Sequence, residues 1–198
     1  MRPLGFTRIT VLAPGQETCV TGEAGGRLRI LATAGALVGP PWSPRQLGLL
    51  LREELPAGER PASLYFEPHC DFEAASVAEG LRRLGLGGQA QGGQQGLAAG
   101  GGGVDVVVSP VVSTLLGAGP ASYELVQGAS NLVSLLRLLR PKVLLPLLNH
   151  ELDASGPLAA LLRQRGDERA VQEVLRREGL ATRVEYPAPP GEALALAL

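Results

Sequence analysis

The sequence is poor in the residues that most often build metal sites and cross-links. It has 198 residues but only two histidines and two cysteines. Two histidines cannot build a histidine-rich metal cage, and cysteine-paired zinc motifs are absent. Cys19 and Cys70 allow one bridge at most, which excludes a disulfide framework. We therefore expect two reduced thiols in an intracellular protein.

Further absences exclude other classes. No apolar run reaches the ~18–20 residues that a membrane helix needs, and the first six residues lack the apolar core of a signal peptide. The net charge of −1 argues against a broad surface for nucleic acid or an anionic membrane. We therefore expect no nucleic-acid or membrane partner.

The sequence also lacks a complete phosphate-binding loop and a complete nucleophile elbow. The Gly35–Trp42 loop has no Lys-Ser/Thr after its second glycine, so it is not a phosphate-binding loop. Trp42 is expected to anchor this loop or to form the wall of a pocket. Ser109 is not flanked by glycines as a nucleophile elbow requires, so a serine-hydrolase triad has no support.

The hydrophobic pattern predicts a single α/β (α+β) domain over residues 1–198. Apolar residues make up 45% of the chain, enough for a core. Predicted strands come first, over 7–12, 17–20, 28–34, 46–53 and 63–67, although 46–53 also fits a short helix. Helices over 71–84, 128–139 and 167–179 then alternate with strands over 104–110 and 142–147, and short strands over 182–186 and 193–198 close the chain. Several of these strands need a second apolar layer, for which the chain offers no obvious candidate.

Residues 85–103 are a low-complexity stretch of glycine, glutamine and alanine. Such a composition cannot bury enough apolar surface to offset the entropy of ordering. We predict a disordered insert in a surface loop, which repeat expansion explains better than a binding role.

The first candidate site follows the 63–67 strand. Glu67, His69 and Asp71 share a parity and face one cleft if the chain stays extended. An imidazole and two carboxylates suit a divalent metal ion. The alternative is structural: Asp71 caps the following helix, Glu67 is solvated and His69 packs with a hydrogen bond.

The second candidate site follows the 142–147 strand. His150 and Asn149 would lie beside the same cleft and contact substrate or water. The alternative is again a helix start, in which a nearby aspartate or serine caps the helix.

Five segments in combination carry a family resemblance: 31–35, 39–42 (Gly-Pro-Pro-Trp), 65–69 (Tyr-Phe-Glu-Pro-His), 105–112, and 145–146 with Asn149 and 151–153. Together they resemble the metallo-β-lactamase-like proteins of plants, algae and cyanobacteria, the branch related to sugar-acid lactone hydrolases. The resemblance implies an αββα sandwich with metal ions (zinc, iron or manganese) at strand ends between two sheets. It also implies a small-molecule ester or lactone substrate, and a cytoplasmic or plastid location in a photosynthetic eukaryote.

The chain departs from that family at its metal ligands. The H-x-H-x-D-H motif expected before the 7–12 strand is absent, and Gly35 and Leu148 stand where later ligand histidines belong. Only the turn with Glu67, His69 and Asp71 falls where the family's bridging carboxylate lies. The resemblance therefore implies the C-terminal half of the fold, catalytically inactive and without a cofactor as it stands.

Two alternatives stay open at this stage. One is an active metal-dependent hydrolase that takes its ligands from an N-terminal segment or a partner chain. The other is a non-catalytic module that binds a ligand or a protein. In the second alternative, an uncovered sheet face would favour a homodimer.

Overall fold

The structure, a computed structural model, describes residues 7, 9–37, 42–56, 58–87, 103–119, 122–147, 155–156, 159–189 and 191–198. The strands in these ranges are β1 (Glu17–Thr21), β2 (Arg27–Ala34), β3 (Leu47–Glu54), β4 (Ser63–Phe66), β5 (Val106–Pro110), β6 (Ser113–Leu116), β7 (Tyr123–Gln127), β8 (Val143–Leu147), β9 (Leu162–Arg165) and β10 (Arg183–Val184). The α-helices are α1 (Ala74–Arg83), α2 (Gly128–Leu139) and α3 (Val171–Arg177), and short 3-10 turns cover Ala159–Leu161 and Glu168–Ala170.

A seven-stranded mixed sheet, ordered β1-β2-β3-β4-β5-β8-β10, organises the fold. Strands β1 to β4 form an antiparallel meander, and β4, β5, β8 and β10 run parallel. The connections between parallel strands carry α1, α2 and α3, because a parallel pair needs a crossover that a tight turn cannot supply. The carboxyl ends of β4, β5 and β8 therefore share one edge of the sheet.

All three helices pack on the same face of this sheet. One row of directly paired residues crosses its five central strands on that face: Leu31, Leu50, Tyr65, Val107 and Leu144. This row belongs to one core cluster with buried side chains of the helices, among them Val77, Leu135 and Leu175. We call it the helix face.

The opposite face is apolar but lies outside that core cluster. Side chains alternate along a strand, so the rows on either side of the helix-face row point the other way. They are Ile30, Leu51, Leu64, Val106 and Val143, and then Ala32, Leu49, Phe66, Val108 and Leu145. We call these ten residues the open face. Ala32, Val106 and Val143 are buried, and the other seven are only partly buried.

A second, three-stranded sheet, ordered β7-β6-β9, follows the carboxyl end of β5. Close approach of backbones fixes its junction with α2. A Cβ atom on Gly128 would lie 2.7 Å from the Val112 carbonyl oxygen and 2.8 Å from that of Pro110. Only glycine fits there without displacing the backbone.

The structure confirms a mixed α/β fold and most of the predicted elements. The strand expected over 46–53 is β3 rather than a helix, and α2 has the predicted bounds. Three expectations are wrong: residues 9–12 and 193–198 form no strand, and the first helix begins at Ala74 with Glu73, not Asp71, at its N-cap. Strands β6, β7 and β9 were not predicted.

Two other expectations concern the insert and the membrane. Residues 88–102 of the predicted insert lie outside the described residues, whereas Leu86, at its start, packs against the core. Among the described residues, no helix has the length and apolar character to cross a bilayer.

Candidate functional site

A buried polar cluster lies near the carboxyl end of β4, on the helix face. The Tyr65 hydroxyl donates to Glu67 Oε2 at 2.8 Å, and it lies 3.1 Å from the Thr33 hydroxyl. All three side chains are fully buried. We call them the Thr33–Tyr65–Glu67 cluster. Buried polar groups are stable only when they are hydrogen-bonded, and these three satisfy one another.

Gly48 provides the space for this cluster. It pairs with Thr33 in the sheet, so a side chain there would point at the same spot. A Cβ atom would lie 2.4 Å from the Tyr65 hydroxyl, 2.6 Å from Thr33 Oγ1 and 2.7 Å from Glu67 Oε2. The three side chains can therefore meet only because residue 48 is a glycine.

Burial shifts the acidity of both ionisable members. Loss of solvation raises the pKa of Glu67 to about 7, although the hydrogen bonds from Tyr65 and the His69 backbone oppose the shift. Burial, and then the neighbouring Glu67 charge, raises the pKa of Tyr65 well above its ordinary value. Glu67 can thus hold or release a proton near neutral pH. Its complete burial, however, leaves no room for a substrate to touch it.

His69 and Asp71 follow Glu67 but do not share its surroundings. The chain bends over residues 68–70, and Cys70 adopts a left-handed backbone with φ +55°. The chain therefore does not stay extended as the shared-cleft prediction assumes. The His69 N–H is 3.5 Å from Glu67 Oε1, while His69 Nδ1 lies 3.2 Å from the Leu125 carbonyl oxygen.

Asp71 holds the loop that follows β2. Its Oδ2 accepts a hydrogen bond from the Leu37 N–H at 3.1 Å, so it does not cap α1. The structural alternative from the sequence was therefore wrong for Asp71, and it was also wrong for Glu67, which is buried rather than solvated. For His69 it was right, because the ring is half-buried and lies within hydrogen-bonding distance of a backbone carbonyl.

These side chains do not fit a metal ion in this arrangement. No three histidine, cysteine, aspartate or glutamate side chains lie close enough to hold one, as far as the described ranges reach. Glu67 is engaged by Tyr65, and Asp71 by the Leu37 backbone. Asn149 and His150 lie outside the described residues, so their assignment to substrate or water stays a prediction, as does metal contact by Glu67, His69 and Asp71.

The two cysteines are unpaired and differ in environment. Cys19 is exposed, whereas Cys70 is fully buried. Burial raises the pKa of Cys70 to about 12, against a smaller opposing effect of its hydrogen bond with Ser109. The Cys70 thiol is therefore protonated at neutral pH and is not a nucleophile.

Sequence reasoning missed Thr33, Tyr65 and Gly48. Tyr65 had a signal, because it lies two residues before Glu67 and shares its side of β4. Thr33 and Gly48 had none, since their proximity depends on strand pairing between distant segments.

Trp42 is 84% exposed, so it neither anchors its loop nor forms a pocket wall.

A cavity of ≈ 290 Å³ lies where the small sheet meets the start of the last helical segment. It is lined by Val112, Gln164, Gly166, Asp167, Glu168 and Arg169, and none of the predicted site residues contributes to it. Comparison with known proteins gives no assignment for either place: no family model, no curated protein and no solved structure matches this chain.

Proposed function

We propose that this chain is a non-catalytic, metallo-β-lactamase-like domain that supplies one half of an αββα sandwich and binds a second sheet through its open face. The observation that carries the proposal is the one-sided packing of the large sheet. Every described helix joins the core through the helix face.

The open face has the character of an interior surface. Its ten residues are all apolar, and none bears a charge. A sheet with helices on one side is stable when its other side packs on a further apolar layer, as in two-sheet sandwiches. Contiguous apolar surface of this kind on a protein marks a binding site.

The absence of catalysis is argued from the chemistry of the cluster. Among the described carboxyl groups, Glu67 has the pKa that is raised furthest from its ordinary value, and it is enclosed on the helix face, away from the open face. The H-x-H-x-D-H motif of the family that the chain resembles is not in the sequence. The cluster is therefore better suited to stabilising the core than to activating a water molecule.

The open face is tested by two neighbouring leucines of β3 that point in opposite directions. Leu50→Ala empties a fully buried position on the helix face and is expected to cost about 2–5 kcal/mol of unfolding free energy. Leu49→Ala is expected to cost about 1 kcal/mol or less, because its side chain is only partly buried. Chemical denaturation measures both, and equal costs would contradict an open face.

Catalysis is tested separately on the purified chain. We expect far less than one equivalent of zinc, iron or manganese by elemental analysis, and no hydrolysis of p-nitrophenyl acetate above that by heat-denatured protein. Near-stoichiometric metal, lost in His69→Ala with the fold intact, would instead support a metal site at Glu67, His69 and Asp71.

A further inference from the structure

Strand β1 is one edge of the large sheet, and within the described part of the chain its outer side has no strand partner. Its backbone pairs there only with β2. Two hydrogen bonds define which of its residues face β2: the Ala32 N–H donates to the Gln16 carbonyl at 2.9 Å, and the Gly22 N–H to the Gly26 carbonyl at 2.8 Å.

Antiparallel pairing alternates between hydrogen-bonded and non-bonded residues. Gln16 and Gly22 face β2, so Thr18 and Val20 face it as well. The N–H and C=O groups of Glu17, Cys19 and Thr21 therefore point away from the sheet. These three residues present a regular row of six backbone groups, without a bulge in the β1–β2 register.

The row is complementary to itself. If two β1 strands lie antiparallel with Cys19 opposite Cys19, then Glu17 of each faces Thr21 of the other, and all six outward groups of each strand find a partner. The side chains of Thr18 and Val20 point to the other face of the sheet from those of Glu17, Cys19 and Thr21. In this register Thr18 of one strand lies across from Val20 of the other, which is a favourable pair of β-branched residues. Sliding the strands by two residues in either direction leaves some outward groups unpaired.

The charges on β1 allow this register. Its one charged residue, Glu17, accepts from Arg29 at 3.1 Å and from Arg83 at 2.8 Å within the same chain. No like charges face each other across the two strands. The strand also has no lysine, proline or bulge, which are the features that usually protect an exposed edge from pairing. Val20 is 49% exposed, so the partner would cover apolar surface as well.

We propose that β1 is a self-association edge, and that a second copy of this chain pairs with it across a two-fold axis at Cys19. The two seven-stranded sheets then form one continuous sheet. This inference is independent of the open face, because the axis is perpendicular to the sheet and leaves both faces free.

Cys19 gives a direct test of the register. Opposed residues of a bonded antiparallel pair have Cα atoms about 5.5 Å apart, which lies within the range that a disulfide spans. Mild oxidation of the full chain with diamide should give a covalent dimer on a non-reducing gel. Cys70 is fully buried and should not contribute.

A matched control separates pairing from random collision. The double variant Cys19→Ser/Ala78→Cys moves the single exposed thiol from β1 to α1. We expect it to cross-link at least ten-fold less than the parent under the same conditions. Equal cross-linking of the two proteins would overturn the proposal.

Two further variants test the strand without the disulfide. In sedimentation velocity, Cys19→Ser should still associate, because the backbone bonds remain. In buffer without sulfate, Cys19→Lys should be monomeric, because two lysines would face each other at the axis. A parent that stays monomeric at all protein concentrations, or a Cys19→Lys variant that associates as the parent does, would overturn the edge pairing.

Discussion

At the scale of single residues, Glu67 connects stability to pH. Its folded pKa of about 7 exceeds the ordinary value of 4.5, so the folded state binds more protons than the unfolded state between these values. The contribution of Glu67 to stability is therefore fully present below pH 4.5 and declines as the pH rises to about 7. The loss amounts to about 3 kcal/mol over this window.

Glu67→Gln should remove this dependence, because the amide is neutral at every pH. Urea denaturation at several pH values between 4 and 8 would show a flatter profile for the variant than for the parent. The surface variant Glu23→Gln should keep the parent's slope. A Glu67→Gln profile as steep as the parent's would show that Glu67 does not titrate in this window.

Gly48 is the second residue on which the cluster depends. Gly48→Ala places a methyl group within 2.7 Å of three buried oxygens, which have no solvent to move into. We expect a loss of about 1–3 kcal/mol in unfolding free energy. Gly26→Ala is the matched control, because a Cβ there meets nothing within 4 Å. A similar cost for both variants would show that crowding of the cluster is not the cause.

At the scale of elements, the start of the last helical segment was readable from the sequence. Asp167 was the predicted first residue, and its Oδ1 accepts a hydrogen bond from the Arg169 N–H at 2.9 Å. Asp167→Ala should cost about 1 kcal/mol of unfolding free energy, and Asp167→Asn much less, because asparagine caps as well as aspartate does. Denaturation of the three proteins measures the difference, and equal stability of all three would show that the cap contributes nothing.

Elements with a strong local signal were predicted, and those that depend on distant partners were not. Leucines at helical spacing mark α2, and the valine run marks β5 as a strand. β6, β7 and β9 are short and combine polar with apolar residues. They form a sheet only because β6 pairs with both β7 and β9. Residues 9–12 alternate like a strand but pair with nothing among the described residues.

The candidate site shows the same division. Its polar residues next to Glu67 were visible in the sequence, but their directions were not, because Cys70 turns the chain with a left-handed backbone that favours glycine over cysteine. Glu67, His69 and Asp71 do occupy alternate positions in the sequence. The prediction of one shared cleft was wrong because it assumed that the chain stays extended after Glu67. Tertiary contacts with Leu37 and Leu125 decide where the last two side chains bind.

At the scale of the whole molecule, the two binding surfaces we propose differ in physical character. The β1 edge binds through backbone hydrogen bonds, whereas the open face is apolar and uncharged. Excluded salts such as sulfate strengthen apolar association. We therefore expect sulfate to promote association through the open face specifically.

This prediction is best measured with the β1 edge disabled. In the Cys19→Lys background, sedimentation velocity should show association that grows with sulfate concentration. Adding Leu49→Glu, which places a charge in the middle of the open face, should abolish it, whereas Glu173→Gln on the exposed surface of α3 should not. Sulfate-driven association that survives Leu49→Glu would place the contact elsewhere. A monomer at every sulfate concentration would mean that the open face does not bind a copy of itself, because sulfate strengthens association between apolar surfaces.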